Sequence, residues 1–369
     1  MEESTFVRKI KELGGHAYAA GGWVRDREAG FTPRDKDYVV TGIEENSFSE
    51  AFPGAIRAGR AFPVYRMGIG GRTCDVALAR SETKSGCGYR GFASLSSPFI
   101  TIEEDLMRRD TTINAMAVHL ETGELLDPCG GLSDLRHGII RAVSDRFRDD
   151  PVRALRAARQ AARFGFRIEP GTIRLMSFCH DELAGEPKER LVNELRLALS
   201  CLSPSRFFLG LGTAGLLDVT FPPVHTLSAK SRDAFLAAMS AMDRSAALTN
   251  RTEIRFAALA CGVCLGLWEN IPDNSSIGKT APIACQDWEI PLPRLWAECA
   301  AFTSHWGEKA EIKGIKKPDE IRELLERLSR HRIGPDGFEA VMLAVWGKLP
   351  PALQNMRELE RAIRNVKAK

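Results

Sequence analysis

Two aspartates one residue apart, Asp35 and Asp37 in the stretch PRDKDYVVTG, stand at the mouth of a β-branched run. Val39, Val40 and Thr41 favour a strand, and alternation along it would point residues 35 and 37 to one face, where like charges a few ångströms apart repel. A cation between them would relieve that. Just upstream, AAGGWVRD sets Gly21 and Gly22 before a helix start, so backbone N–H groups approach a polyanion closely while Arg25 adds a forked cation. A carboxylate pair holding Mg²⁺ beside a triphosphate cradle is the arrangement used for in-line attack by a hydroxyl. Taken singly, a Gly-Gly turn is an ordinary tight turn and a D-x-D an ordinary solvated strand end. Their nearness in the chain points to one cleft. Asp75, in TCDVALAR, lies on a further predicted strand and reads either as a third carboxylate or as a surface aspartate.

The elements that must position these residues follow from periodicity. Phe6, Val7, Ile10 and Leu13 at helical spacing predict a helix over 5–13, stopped by Gly14-Gly15. A strand at HAYAAGG, a brief helix opening at WVRDREAG, the strand carrying the aspartates, and strands at PVYRMGI and TCDVALAR follow. The Gly- and Ser-rich stretch KSGCGYRGFASLSSP reads as a loop. From about Asp149 onward the pattern becomes Ala-, Leu- and Arg-rich with helical periodicity, predicting helices over 150–164, 189–201, 204–216, 231–243, 251–268, 290–305, 318–331 and 335–346. The expected fold is α+β: a small mixed sheet with helices, followed by an all-α remainder.

Bulk composition limits the function classes. With 369 residues, the chain exceeds the usual size of one core. Its 44% hydrophobic and 27% charged residues describe a globular protein rather than a disordered one. A net charge of +3 is only mildly basic, so any nucleic-acid surface must come from a local cluster of Arg and Lys. Nine cysteines without regular spacing, and no apolar leader segment, suit a reducing cytoplasm. The longest nearly uncharged apolar stretch, Phe256 to Trp268, is shorter than the roughly 20 residues of a membrane-spanning helix and reads as a buried helix. Cys261 and Cys264 form a lone C-x-x-C there, which without a second pair favours core packing over metal binding.

GGWVRD through DKDYVV, then EEDLMRRDTTINAMA, DPCGGLSDLRHGIIRAV, DDPVRALRAARQAARFGF and ERLVNEL stand in the order of the motifs of class II CCA-adding enzymes, which the chain resembles. These are tRNA nucleotidyltransferases of the polymerase-β-like superfamily, with bacterial poly(A) polymerases as close relatives. The DxDxVVxG form and the loop ARSETKSGCGYRGF look most like the enterobacterial type. The resemblance implies a polymerase-β-like nucleotidyltransferase head over 1–140, a helical neck over 141–205 that selects the nucleobase, and a helical body and tail over 206–369 that binds tRNA. It implies an Mg²⁺-dependent enzyme that adds C, C and A to the tRNA 3′ end from CTP and ATP. A partial enzyme adding only CC or only A, a poly(A) polymerase, or a non-catalytic tRNA-binding protein remain as alternatives. It also assigns the second arginine of RRD, Arg109, to the nucleotide phosphates, which suits a guanidinium fork; by itself Arg108-Arg109 is equally a surface charge cluster. Asp127 and Asp134 read as turn and cap residues.

In DDPVRALRAAR, Pro151 suits a first helical turn, leaving Asp150 at the N-terminus, while Arg153, Arg156 and Arg159 follow at three-residue steps that spiral along one side. Cytosine and adenine both offer an amino donor beside a ring-nitrogen acceptor, which an aspartate and an arginine meet together. Uracil and guanine reverse that order, leaving buried polar groups mispaired at about 1–3 kcal/mol. In the family the positions matching Asp150 and Arg153 act as such a protein template. Three departures stand out against the resemblance: Asp149 where a Glu is usual, Thr111 where Phe or Leu is usual, and Gln160 where Phe is common. Enterobacterial-type relatives carry an HD phosphohydrolase domain in the second half; here Cys261 and Gly262 fall at the dyad, and the expectation is a degenerate HD-like domain. Lys309, Lys313, Lys316 and Lys317 form a basic cluster, read as either a solvated face or a contribution to RNA binding.

Overall fold

The computed structural model describes residues 1–33, 35–58, 64–84, 86, 91–267, 288–312, 323–324, 326–328 and 330–347. The chain divides into two compact units, Met1–Ala161 with Phe166–Glu186, and Ala162–Gly165 with Pro187–Lys369.

The first unit opens with α1 (Glu3–Glu12), β1 (His16–Ala20), α2 (Gly22–Glu28), β2 (Asp37–Thr41), α3 (Glu45–Ala51), β3 (Ile56–Ala58), β4 (Val64–Ile69) and β5 (Arg72–Leu78). Then come β6 (Arg80–Lys84), β7 (Phe92–Ser96), α4 (Ile102–Met107), β8 (Ala117–His119), β9 (Leu125–Leu126), α5 (Gly131–His137) and β10 (Ile139–Ile140). It closes with α6 (Val152–Phe164), whose last turn belongs to the second unit, then β11 (Arg167–Ile168), α7 (Pro170–Ser177) and α8 (His180–Ala184). A seven-stranded mixed sheet runs in the order β3-β4-β5-β2-β1-β8-β9. Only β2 and β5 pair in parallel, with Tyr38 opposite Val76; the other pairs are antiparallel.

Strand alternation sorts the side chains onto two cores. Tyr38, Val40, Cys74, Val76 and Leu78 face a cluster built with Phe6, Ile10 and Phe48. Val39 faces the opposite cluster with Tyr18, Ala20, Ile102 and Leu106, the layer contributed by α4. Asp37 and Asp75, at the same parity as Val39 and Ala77, therefore project toward the α4 side.

The stretch read as a loop after residue 84 is in part a hairpin: β6 and β7 pair antiparallel from Arg80↔Ser96 to Lys84↔Phe92. A glycine pair five residues apart approaches closely at its end. The Gly86 amide donates to the Gly91 carbonyl at 3.1 Å, and a Cβ at Gly91 would lie 2.2 Å from the Gly86 oxygen.

The second unit carries α9 (Lys188–Leu199), α10 (Ser205–Thr213), α11 (Leu217–Thr220), α12 (Pro222–Lys230), α13 (Arg232–Leu248), α14 (Thr252–Leu267), α15 (Arg294–Ile312) and α16 (Gly334–Trp346). Of the predicted helix over 318–331, residues 323–324, 326–328 and 330 are helical, while 318–322, 325 and 329 lie outside the described residues, as does Trp268. The expected buried helix is α14: Phe256 to Cys261 are all within the core, and Phe256 packs on Trp288 and stacks on Trp296. It approaches α13 so closely that a Cβ at Gly262 would lie 2.9 Å from Ala238. Cys261 and Cys264 are free and buried, and the Cys261 thiol faces Thr303 and Ser304, hydroxyls rather than metal ligands. Among the described residues no helix is long and apolar enough to cross a membrane.

Candidate active site

The double glycine is built for close approach. Gly21 takes φ 72°, a left-handed conformation, and caps α2, while a Cβ there would lie 2.6 Å from an Arg109 terminal nitrogen. A Cβ at Gly22 would contact the Arg25 guanidinium at 3.4 Å. Two arginines thus bracket the turn. Both are held from behind by acids. Arg25, 7% exposed, donates its Nε and one terminal nitrogen to Asp26 and the other to the Asn114 side-chain oxygen. Arg109 donates to Asp105, which is 0% exposed and also takes the Arg108 guanidinium and the Arg80 amide. Burial alone would raise the Asp105 carboxyl, but the two arginines outweigh it and hold it below the usual carboxylate range. The Arg109 Nε is buried without a hydrogen-bond partner.

Asp37 opens β2 opposite Ala20, next to the glycine turn, and the register of Tyr38 on Val76 sets it beside Asp75. Asp35 precedes the first residue of β2, so strand alternation does not fix its side chain as the sequence pattern suggested. The charges still converge. Desolvation, then Asp75, then Asp35 push the Asp37 carboxyl above its usual range, against an opposing pull from Arg109. Asp75 is ion-paired with Arg66 at 3.1 Å. Among the described residues, neither the Asp35 nor the Asp37 carboxylate has a hydrogen-bond or ion-pair partner. Among the same residues no three His, Cys, Asp or Glu side chains gather as a metal cage, while Asp75 lies beside Asp37 on the paired strand. Two unpaired oxygen donors under mutual repulsion are a hard-cation donor set.

The helix α6 starts one residue after Pro151, with the Asp150 side chain accepting from the Val152 amide. Arg153 is 7% exposed and donates to the Arg146 carbonyl. Arg156 and Arg153 both pull on Asp110, whose carboxyl burial alone would raise; these arginines, the Asn114 amide and the Thr111 N–H together hold it below its usual range. Arg159 is half-buried on the same helix, rotated about 60° from Arg156.

Asp127 does as the turn chemistry predicts, whereas Asp134, inside α5, makes long-range side-chain contacts instead of a turn or cap. Asp127 accepts from the Gly131 and Leu132 amides at the start of α5, and Asp134 takes Thr112 and Arg141. The sequence reading missed Asp105, Asn114 and Asp26, the groups that aim the arginines. For Asp105 a signal existed, since Arg108 and Arg109 follow at i+3 and i+4 on one helix. The side chains of Lys309, Lys313, Lys316 and Lys317 lie outside the described residues.

A glycine turn flanked by anchored arginines, next to a carboxylate pair on a small mixed sheet, defines a nucleotidyltransferase head. Sequence comparison agrees: residues 17–141 match the family described as poly A polymerase head domain, and residues 165–227 the probable RNA- and SrmB-binding site of polymerase A. The multifunctional CCA protein of Nitrosococcus oceani is 35% identical over 89% of this chain and 82% of its own length. That of Laribacter hongkongensis is 39% identical over 84% and 78%. The crystal structure of the Bacillus stearothermophilus CCA-adding enzyme in complex with CTP superposes with a TM-score of 0.66, covering 96% of this chain and 80% of that one at 24% identity, a likeness of fold. The chain belongs to the CCA-adding branch of the poly(A) polymerase family of nucleotidyltransferases.

Proposed function

We propose that this chain adds C, C and A to the 3′ end of tRNA from CTP and ATP, releasing pyrophosphate, with no nucleic-acid template. The observation that carries this reading is the gathering, within one compact unit, of a carboxylate pair without partners among the described residues, a glycine turn bracketed by arginines and the Arg-bearing α6.

Asp35 and Asp37 would hold Mg²⁺, which when bound supplies a lowered pKa for the tRNA 3′-hydroxyl and charge neutralisation for the leaving pyrophosphate. Gly21 and Gly22 offer backbone N–H groups, and Arg25, Arg109, Arg156 and Arg159 guanidinium forks, to the triphosphate. The unpartnered Arg109 Nε is a donor suited to a phosphate oxygen. Asp150 and Arg153 pair with the edge of cytosine or adenine. Residues 1–140 serve as head, 141–205 as neck, and 206–369 as a helical body and tail that holds the acceptor arm of tRNA by its phosphates and shape. The work is placed in the cytoplasm, where these substrates occur.

The test is to incubate the protein with Mg²⁺, labelled ATP or CTP, and tRNA lacking its 3′ end, then sequence the products. Ordered CCA is the expected product. CC alone, A alone or a run of A would overturn the complete activity. Asp150→Ala should blur base choice while sparing Mg²⁺ binding, and an unchanged preference for C and A in that variant refutes the protein-template role.

A further inference from the structure

Two polar residues that depart from the resemblance, Thr111 and Gln160, are partners. They are 0% and 1% exposed and 49 positions apart in the chain. The Thr111 hydroxyl donates to Gln160 Oε1 at 2.8 Å, and Gln160 Nε2 reaches Asp110 Oδ2 at 3.5 Å. The Thr111 N–H closes the triangle by donating to Asp110 Oδ1 at 2.7 Å.

The contact joins two working parts. Gln160 follows Arg153 and Arg156 at seven and four positions, on one face of α6. Asp110, electrostatically coupled to both arginines, accepts from Asn114 Nδ2 at 2.9 Å, and the Asn114 oxygen accepts from Arg25. A continuous hydrogen-bond chain therefore runs from Gln160 through Asp110 and Asn114 to Arg25, linking α6 to the glycine turn. Elsewhere α6 buries small or aliphatic side chains: Leu155, Ala157, Ala158 and Ala161 are all in the core. Small apolar contacts tolerate sliding and rotation. A buried amide does not, because losing its directional partners costs its desolvation.

We propose that Thr111 and Gln160 are positioning residues for nucleotide addition: their buried hydrogen bond fixes the rotation of α6 against Asp110, so that Arg153 and Arg156 meet a nucleotide whose phosphates Arg25 holds. The role rests on the nucleotide-addition reading above. Its signature is selectivity, since a helix free to rotate presents Asp150 and Arg153 to the base edge in more than one pose.

The test uses the full-length protein and four variants: Thr111→Val, Gln160→Leu, both together, and Thr111→Ser, which keeps the hydroxyl. Single-nucleotide incorporation kinetics with CTP, ATP, UTP and GTP on tRNA lacking its 3′ end, alongside Tm, give the readouts. Thr111→Val and Gln160→Leu should each lower the preference for CTP and ATP over UTP and GTP by about tenfold, the effect of one buried polar group left unpaired. The loss should fall mainly on kcat, the double variant should be no worse than either single one, and Thr111→Ser should retain selectivity. Folded variants with a lowered Tm but unchanged selectivity, additive losses in the double variant, or a Thr111→Ser as unselective as Thr111→Val would each overturn the role. Should Gln160→Leu fail to fold, the Val and Ser comparison at position 111 decides. No C or A incorporation by the unaltered chain would sink the reaction itself; full incorporation with unaltered variants would sink the positioning role alone.

Discussion

Asp37 stores repulsion in the resting protein, and removing its charge should reveal it. In Asp37→Asn the cross-strand like-charge contact with Asp75 disappears, a term of about 0.5–1 kcal/mol for residues set side by side on paired strands. The opposing attraction from Arg109 trims the gain toward the lower end. For a unit of this size that corresponds to a Tm rise of about 1–4 °C in chelator at neutral pH. The pH dependence has a definite sign. The Asp37 carboxyl is pushed up in the folded chain, so just above the ordinary carboxylate range the folded state keeps a proton that the unfolded state has released. Stability therefore falls as pH rises through that window, and Asp37→Asn should flatten this part of the profile. With Mg²⁺ added the order should reverse. The unaltered chain gains about 2.7 kcal/mol at a hundredfold excess over Kd, whereas the variant loses that gain along with nucleotide addition. Differential scanning fluorimetry in EDTA and in Mg²⁺, from pH 4 to 8, reads all of this. An Asp37→Asn protein that melts below the unaltered chain in EDTA at pH 7 refutes the reasoning.

The arginine anchors give two further outcomes. Asp105→Asn breaks a buried acid shared by two guanidiniums and should cost about 3–5 kcal/mol in urea unfolding, with the apparent Kd for CTP and ATP weakened through the loss of Arg109 placement. Because the Asp105 carboxyl is held low in the folded chain, its contribution is present above the ordinary carboxylate range and is lost as pH falls through the lowered value, so the variant should show less acid destabilisation than the parent. Gly21→Ala forces a left-handed φ and drives its Cβ to 2.6 Å from Arg109, and should raise KM for both nucleotides alike in steady-state assays while leaving base preference unchanged. Arg255→Met, in the second unit, strands the carbonyls of Leu199, Cys201, Ala246 and Thr249, each bonded at 3.0 Å or less, and should lower denaturant stability by about 3–5 kcal/mol.

What could be read from the sequence was whatever is local. The glycine pair, Pro151 and the Arg spacing of α6 are each fixed by a handful of adjacent residues, and the turn and the helix start fall where short-range chemistry says. The pairing of β2 with β5 in parallel, which brings Asp75 beside Asp37, depends on a crossover through α3, β3 and β4 that no window of residues encodes. Asp35 escaped the alternation rule because the strand begins at Asp37, two residues after the position to which the alternation was extended. The hairpin β6–β7 was hidden by its glycines, which signal a loop by composition yet permit the close Gly86–Gly91 contact that shuts it. Thr111 and Gln160 were visible only as separate departures; that they answer each other is a fact of tertiary packing.

The distribution of charge around the site follows one rule with one exception. Arg25 leans on Asp26, Arg109 on Asp105 and Arg156 on Asp110, so three of the four arginines assigned to phosphates have a carboxylate beside them in the resting chain. Such pairing lets guanidiniums be partly buried without a ligand and fixes their forks before one arrives, so that a triphosphate meets donors already aimed rather than ordering them on binding. The exception is Asp35 with Asp37, carboxylates that repel each other and, among the described residues, have no ion-pair partner. A pair of mutually repelling oxygen donors is strained in the direction that a divalent ion relieves. The same imbalance explains why metal and nucleotide would favour each other: the ion removes the repulsion at the foot of β2, and the triphosphate brings the further oxygens that a pair of carboxylates cannot supply.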